Sequence, residues 1–184
     1  MSHGLKTVNR NMLLRYITLI LLFSVSVSCR NEADKKRHIS GPDKAEMADL
    51  NRYFVQKDRE RIQNYIERKN LKMNETSTGL WYQVTNMGEG DFFKEKDKVT
   101  MNFICSLLDG TVCYSSEDLG PREFILGRSE MEAGLNEGLR LLKPGAEAVF
   151  IIPPYLAYGL IGDRKKIPSR AILVYKIEIL HAKE

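Results

Sequence analysis

Between Asp43 and Lys72 the chain has neither proline nor glycine, and from Gly79 onward the spacing of its apolar residues changes from helical to strand-like. That change of period limits the possible folds more than any other feature, because a helix buries residues three and four apart whereas a strand buries alternate ones. In the first segment Met47, Leu50, Phe54, Ile62, Tyr65 and Ile66 recur along one helical face, interrupted by Asp58 and Arg61. The reading is an amphipathic helical stalk over residues 46–73, ended by the polar break Asn74–Gly79. Its apolar face needs a cover, supplied either by the domain behind it or by a second copy in a homodimer.

Beyond Gly79, Leu80–Val84 is strand-like, and Val99, Met101, Phe103 and Cys105 alternate along the next strand. Asp109-Gly110 reads as a two-residue type I′ hairpin turn, in which both residues take positive φ, and Thr111–Ser115 returns antiparallel. Ser129–Leu142 has helical spacing at Met131, Leu135, Leu139 and Leu142, weakened by Gly134 and Gly138 and stopped by Pro144-Gly145. Ala148–Ile152 is a continuous apolar strand closed by Pro153-Pro154, and Ala171–Leu180 is the last strand. Residues 79–184 therefore read as an α+β domain, an antiparallel sheet with one short helix against it, preceded by the N-terminal helix.

The formal charge of +4 does not sit on this domain. Residues 1–78 hold fifteen Lys+Arg and nine Asp+Glu, whereas residues 79–184 hold thirteen and fifteen. A nucleic-acid binder concentrates positive charge on its folded surface, so no nucleic-acid partner is expected. Cys29, Cys105 and Cys113 are too few for a disulfide framework and show no metal-ligand spacing, so no metal is expected. Cys105 and Cys113 lie on opposite arms of the hairpin and read as two buried free thiols, with a cross-strand disulfide as the alternative.

At the N-terminus Lys6, Arg10 and Arg15 precede the uncharged run Tyr16–Ser28. That run is shorter than the ~20 residues of a membrane span and suits a secretory signal. Its ending Val27-Ser28-Cys29 is similar to a bacterial lipobox, although Ser26 stands where leucine is usual. Residues 1–28 are thus expected to be a lipoprotein signal peptide and Cys29 the lipid attachment site. Residues 29–45, with the cluster Lys35-Lys36-Arg37 and the break Ser40-Gly41-Pro42, read as a flexible tether.

Several blocks in the second half agree in order and spacing with one family. Phe124-Ile125-Leu126-Gly127, Glu130–Leu139, Lys143-Pro144-Gly145, Ile152–Gly159, Ile167-Pro168 and Leu173-Val174-Tyr175 resemble FKBP-type peptidyl-prolyl cis-trans isomerases. The likeness runs from about Gly79 to the C-terminus, and the order of signal, helix and domain resembles lipoproteins of gliding bacteria. The resemblance implies a five- or six-stranded half-barrel wrapped around the short helix, an apolar pocket that takes a proline ring, and no cofactor. It implies an isomerase that assists folding of exported proteins from a lipid anchor in the bacterial envelope, facing the periplasm. Proline-containing unfolded or exported polypeptides and a lipid membrane are the implied partners. A chaperone-like or scaffold lipoprotein of the same fold, with little isomerase activity, is the alternative.

Carried over position by position, the resemblance makes Tyr158 the catalytic side chain, its hydroxyl donating to a substrate carbonyl, and Phe103, Tyr114, Phe124, Met131, Leu135, Ile167 and Tyr175 the substrate-binding lining. Glu132 is implied to contact the peptide through its backbone N–H with its side chain turned outward, while locally Ser129–Glu132 also fits a capping box. Three positions depart from the family: Cys113-Tyr114 stands in place of Phe-Asp, and Arg122 in place of an aromatic rim residue. On this reading isomerase activity is measurable but reduced, Tyr114→Asp raises it if that side of the pocket limits turnover, and Tyr158→Phe lowers kcat/KM about threefold to tenfold, the worth of one neutral hydrogen bond.

Overall fold

A computed structural model describes Gly41, residues 43–128 and residues 131–180. The expected signal peptide, Cys29 and most of the tether lie outside the described residues, as do Ser129 and Glu130 of the expected capping box. The chain divides into two compact units, 1–44 and 45–184, and everything below belongs to the second apart from the first residue of its leading helix.

Helix α1 spans Lys44–Lys69. Glu46 in its first turn and Arg68 and Lys69 in its last complement the helix dipole. It stops where Asn70 takes φ 52°, with the Leu71 N–H bonded to the Ile66 carbonyl at 3.0 Å, a six-to-one closure of the last turn. Ile62, Tyr65 and Ile66 pack on Trp81, Val149, Ile151, Ile172 and Val174, whereas Met47, Leu50 and Tyr53 near the start stay exposed. The stalk is therefore a helix docked by its C-terminal half.

The strands are β1 (Asn74–Glu75), β2 (Trp81–Asn86), β3 (Lys98–Leu107), β4 (Val112–Ser115), β5 (Arg122–Ile125), β6 (Glu147–Ile152) and β7 (Leu173–Ile179). Two short helices, α2 (Ser116–Leu119) and α3 (Ala133–Leu139), complete the set, with a 3-10 turn over Pro154–Leu156. Sheet order is β1-β2-β6-β7-β3-β4, and every pairing is antiparallel. One edge of β3 is shared: its first half pairs with β5 and its second half with β4. At the break between them the Ser116 hydroxyl bonds both the N–H and the carbonyl of Phe103, at 3.1 and 3.3 Å.

Alternation along β6 and β7 feeds two cores. Ala148, Phe150, Ile152, Leu173 and Tyr175 face α3, and Val149, Ile151 and Val174 face α1. A sheet covered on both faces explains why Ala148–Ile152 reads as one unbroken apolar run. Helix α3 is seven residues long, shorter than the pattern from Ser129 to Leu142 predicts. Its glycines are a packing device. A Cβ on Gly134 would stand 2.5 Å from Ile152 Cγ2, and one on Gly138 would stand 2.5 Å from Phe150 Cε2.

The expected hairpin turn is corrected. Asp109 does not take positive φ; Gly110 alone does, at 95°, and the turn is held by Gly110 N–H to Leu107 O and by the Asp109 carboxylate accepting from Thr111 N–H. The register then steps from Cys105↔Tyr114 to Ser106↔Val112, which leaves Cys113 as the extra residue of a bulge. Both thiols are buried and free.

Asp58, which breaks the apolar stripe of α1, is 3% exposed and bonds the Arg170 guanidinium at 2.8 Å. Arg170 also stacks on Phe54 at 3.6 Å, and its backbone N–H holds the Gly159 carbonyl, closing the loop from Tyr158 to Arg170. The charge on α1 thus pins a loop of the domain. Removing one partner of such a pair strands the other in a poor dielectric. Asp58→Ala is expected to lower unfolding free energy by about 3 kcal/mol, the low end of the range for a buried pair because Arg170 stays partly solvated. Urea unfolding measures this, and Lys57→Ala, which removes an exposed pair with Glu60, should leave the midpoint in place.

Candidate functional site

Strands β3, β4, β5 and β7, helix α3 and the loop that carries Tyr158 and Ile167 bring the expected lining residues into one apolar cluster. Phe103, Leu135, Ile167 and Tyr175 form its buried floor, each at most 2% exposed. Phe124, Met131, Tyr114 and Tyr158 are packed against that floor nearer the surface. The rings of Phe103 and Tyr175 lie 6.2 Å apart at a tilt of 35°. A cavity of about 220 Å³ opens beside Phe124 and Met131, bounded also by Glu123, Ile125 and Arg128. A cleft of about 850 Å³ lies between α1 and the loops at Leu107–Asp109 and Pro168–Ile172; its lining includes Arg61, Arg68 and Arg170 and no aromatic side chain.

Glu132 is the residue whose role changes most. Its carboxylate is turned inward, 8% exposed, and one oxygen accepts both the Tyr158 hydroxyl at 2.5 Å and the Tyr175 hydroxyl at 2.9 Å. It stands at the N-cap of α3 and its side chain makes no cap bond there; the outward orientation is overturned, and the capping-box partner Ser129 lies outside the described residues. The physical reason is demand: two tyrosines buried at the core edge need acceptors, and an unsatisfied buried hydroxyl costs free energy. Because a hydroxyl has one proton, Tyr158 offers the site an oxygen acceptor while that proton is held by Glu132.

Burial, then the Glu132 hydrogen bond and charge, push the Tyr158 hydroxyl well above the usual phenol range. Burial and the same carboxylate push Tyr175 up further. Burial also raises the Cys105 thiol to about 12, so it is not a nucleophile at neutral pH.

Tyr114 is tied across the opposite rim. Its hydroxyl donates to Asp163, whose other oxygen accepts the backbone N–H groups of Lys165 and Ile167, both at 2.8 Å. That bond raises the Tyr114 hydroxyl; on Asp163, burial works upward but Tyr114 and the two N–H groups hold the carboxyl below its ordinary value. Asp163 carried no signal in the sequence, since an aspartate after a glycine is ordinary loop chemistry. Arg122 was visible only as a departure. Its guanidinium lies 4.5 Å over the Phe124 ring and 5.6 Å from the Phe103 ring centre, so it covers two walls of the site.

Among the described residues no cluster of His, Cys, Asp and Glu is arranged to hold a metal. The same residues include no helix long and apolar enough to cross a membrane.

Comparison with known proteins bears on the family and the fold. Residues 89–180 match the family described as FKBP-type peptidyl-prolyl cis-trans isomerase. A probable FKBP-type peptidyl-prolyl cis-trans isomerase FkpA of Neisseria meningitidis serogroup B is 42% identical over 106 residues, 57% of this chain and 38% of the relative. FkpA of Escherichia coli K12 is 36% identical over 128 residues, 69% of this chain and 46% of the relative. The crystal structure of FkpA from Escherichia coli superposes with a TM-score of 0.59 at 28% identity, covering 92% of this chain and 91% of that one. The matched region spans less than half the length of either of these curated relatives.

The raised hydroxyl and thiol groups predict alkaline sensitivity. A group protonated more tightly in the folded state stabilises it below the ordinary pKa, and that contribution is lost as pH rises toward the folded value. Stability should therefore be level near neutrality and fall once pH passes about 9 to 10, the ordinary thiol and phenol values. Tyr175→Phe, compared with the unaltered chain by urea unfolding from pH 7 to 11, should show a shallower alkaline decline. An equal slope in both proteins would show that Tyr175 is not part of the cause.

Proposed function

This chain belongs to the FKBP-type peptidyl-prolyl cis-trans isomerase family, and from that premise we propose that residues 79–184 catalyse rotation about X–Pro bonds in exported polypeptides. The observation that carries this reading is the joint placement of Phe103, Phe124, Met131, Leu135, Ile167 and Tyr175 in one apolar cluster edged by Tyr158. Amide rotation has a barrier of about 18 to 20 kcal/mol, set by the resonance that planarity preserves. The twisted amide has lost charge separation, so a water-poor apolar site disfavours it less than the planar form. No side chain has to exchange a proton for this to work.

A second reading, a binding module with slow turnover, is favoured by one feature: the Tyr158 proton is held by Glu132 and is not free for a substrate carbonyl. The two readings separate on a single assay. The full chain in detergent should accelerate isomerisation of an Ala-Leu-Pro-Phe peptide, followed by NMR exchange; a folded protein no faster than buffer would leave the binding module. Tyr158→Phe should change kcat/KM by less than about threefold, because the hydrogen bond lost is internal. It should instead lower stability, since Glu132 loses one of two donors. Tyr114→Asp should reduce activity rather than raise it, because it sets a second carboxylate against Asp163 and frees the loop holding Ile167.

Anchoring follows the same logic. We propose that Cys29 carries a lipid which holds the domain at a bacterial envelope membrane facing the periplasm, with the exposed Met47, Leu50 and Tyr53 near the start of α1 as the surface for self-association. Labelled fatty acid should enter the unaltered protein and not Cys29→Ala. Equal labelling removes the anchor from the account, and a monomer by light scattering removes the self-association.

A further inference from the structure

We propose that the site prefers prolines preceded by an acidic residue, and that Arg122 is the residue that reads the charge. The proposal rests on the isomerase reading of the same site and adds a substrate class to it.

Arg122 opens β5 and is half-buried over the Phe124 and Phe103 rings. Stacking on aromatic faces holds a guanidinium in place without using its N–H donors. Among the described residues no carboxylate lies within 4 Å of it to form an ion pair.

The acids of this region are already engaged. Glu132 accepts from Tyr158 and Tyr175, Asp163 from Tyr114 and two backbone N–H groups, and Glu123 pairs with Lys98 at 2.8 Å. Two further cations share the rim. Arg128 borders the 220 Å³ cavity with Phe124 and Met131, and the Lys166 ammonium lies 5.4 Å from the Tyr114 ring centre. Neither forms an ion pair among the described residues. The result is an apolar floor with a mouth at which Arg122, Arg128 and Lys166 form no ion pair among the described residues, while the Glu132 and Asp163 carboxylates are bound by hydroxyl and N–H donors.

A proline seated against Phe124 and Phe103 places its preceding residue about 3.8 Å further along the chain, within reach of the guanidinium over those rings. A carboxylate there finds a planar donor fork suited to bidentate contact. Glutamine has the same shape without the charge, which makes Glu-Pro against Gln-Pro the cleanest comparison.

The experiment measures kcat/KM by NMR exchange, and affinity by chemical-shift titration, for Ala-Glu-Pro-Phe, Ala-Gln-Pro-Phe and Ala-Lys-Pro-Phe. It uses the full chain and Arg122→Met, which keeps bulk over the rings but removes the charge. Glu-Pro is expected to exceed Gln-Pro about fivefold, the order of one partly exposed charge pair, with Lys-Pro lowest. The ratio should shrink as salt rises from 0.05 to 0.5 M and approach one in Arg122→Met. A ratio is unaffected by any loss of folded protein. If all three peptides turn over equally, the charge preference is overturned and the isomerase reading stands. If none turns over yet Glu-Pro binds more tightly in an Arg122-dependent way, the isomerase reading fails and the preference stands. Neither turnover nor a binding difference overturns both.

Discussion

The approach of α3 to β6 is the constraint on which the rest of the site depends. Helix and sheet meet at two positions without a Cβ, Gly134 over Ile152 and Gly138 over Phe150, and any larger residue would push the helix outward. Because the helix lies so low, Leu135 and Leu139 reach full burial against Phe150 and Tyr175. The start of the helix is carried inward with them, and Glu132 arrives beneath the hydroxyls of Tyr158 and Tyr175. One packing contact thus sets the floor of the pocket and the polar trio beside it.

A carboxylate in that position is costly unless its lone pairs are occupied, and two phenolic donors occupy them. The arrangement fixes Tyr158 against the pocket and removes its proton from the list of groups that act on a substrate. What remains for chemistry is enclosure: aromatic and aliphatic walls, and a guanidinium over two of the rings. That inventory suits the rotation of an amide, which needs a medium more than it needs an acid or a nucleophile. On the far rim, Tyr114 and Asp163 take the place of a free carboxylate and stiffen the loop that delivers Ile167.

Much of this was legible in the sequence because period and spacing are local. The change of period at Gly79 marks the boundary between α1 and the sheet, and the lining residues are implied by the family resemblance that several blocks carry together. What escaped notice were contacts between residues far apart in the chain. Asp58 looked like a flaw in an apolar stripe because its partner, Arg170, is 112 positions away. Gly134 and Gly138 looked like weaknesses in a helix because propensity is local, whereas their use lies in β6. The resemblance implies an outward Glu132 side chain because it uses that position's backbone N–H, and two tyrosine hydroxyls from other elements turn the carboxylate inward instead. The type I′ turn at Asp109-Gly110 failed for a smaller reason: a bulge at Cys113 supplies the twist, so only Gly110 needs positive φ.

The central claim is that the cluster around Phe124, Met131 and Tyr158 is where a prolyl segment binds. Methyl and amide chemical-shift mapping of the full chain with a Leu-Pro tetrapeptide tests it directly. Saturable shifts should concentrate at the Met131 and Ile167 methyl groups and the amides of Phe124 and Tyr158. Shifts confined instead to the cleft lined by Arg61, Arg68 and Arg170, with the Met131 and Ile167 signals unmoved, would contradict it.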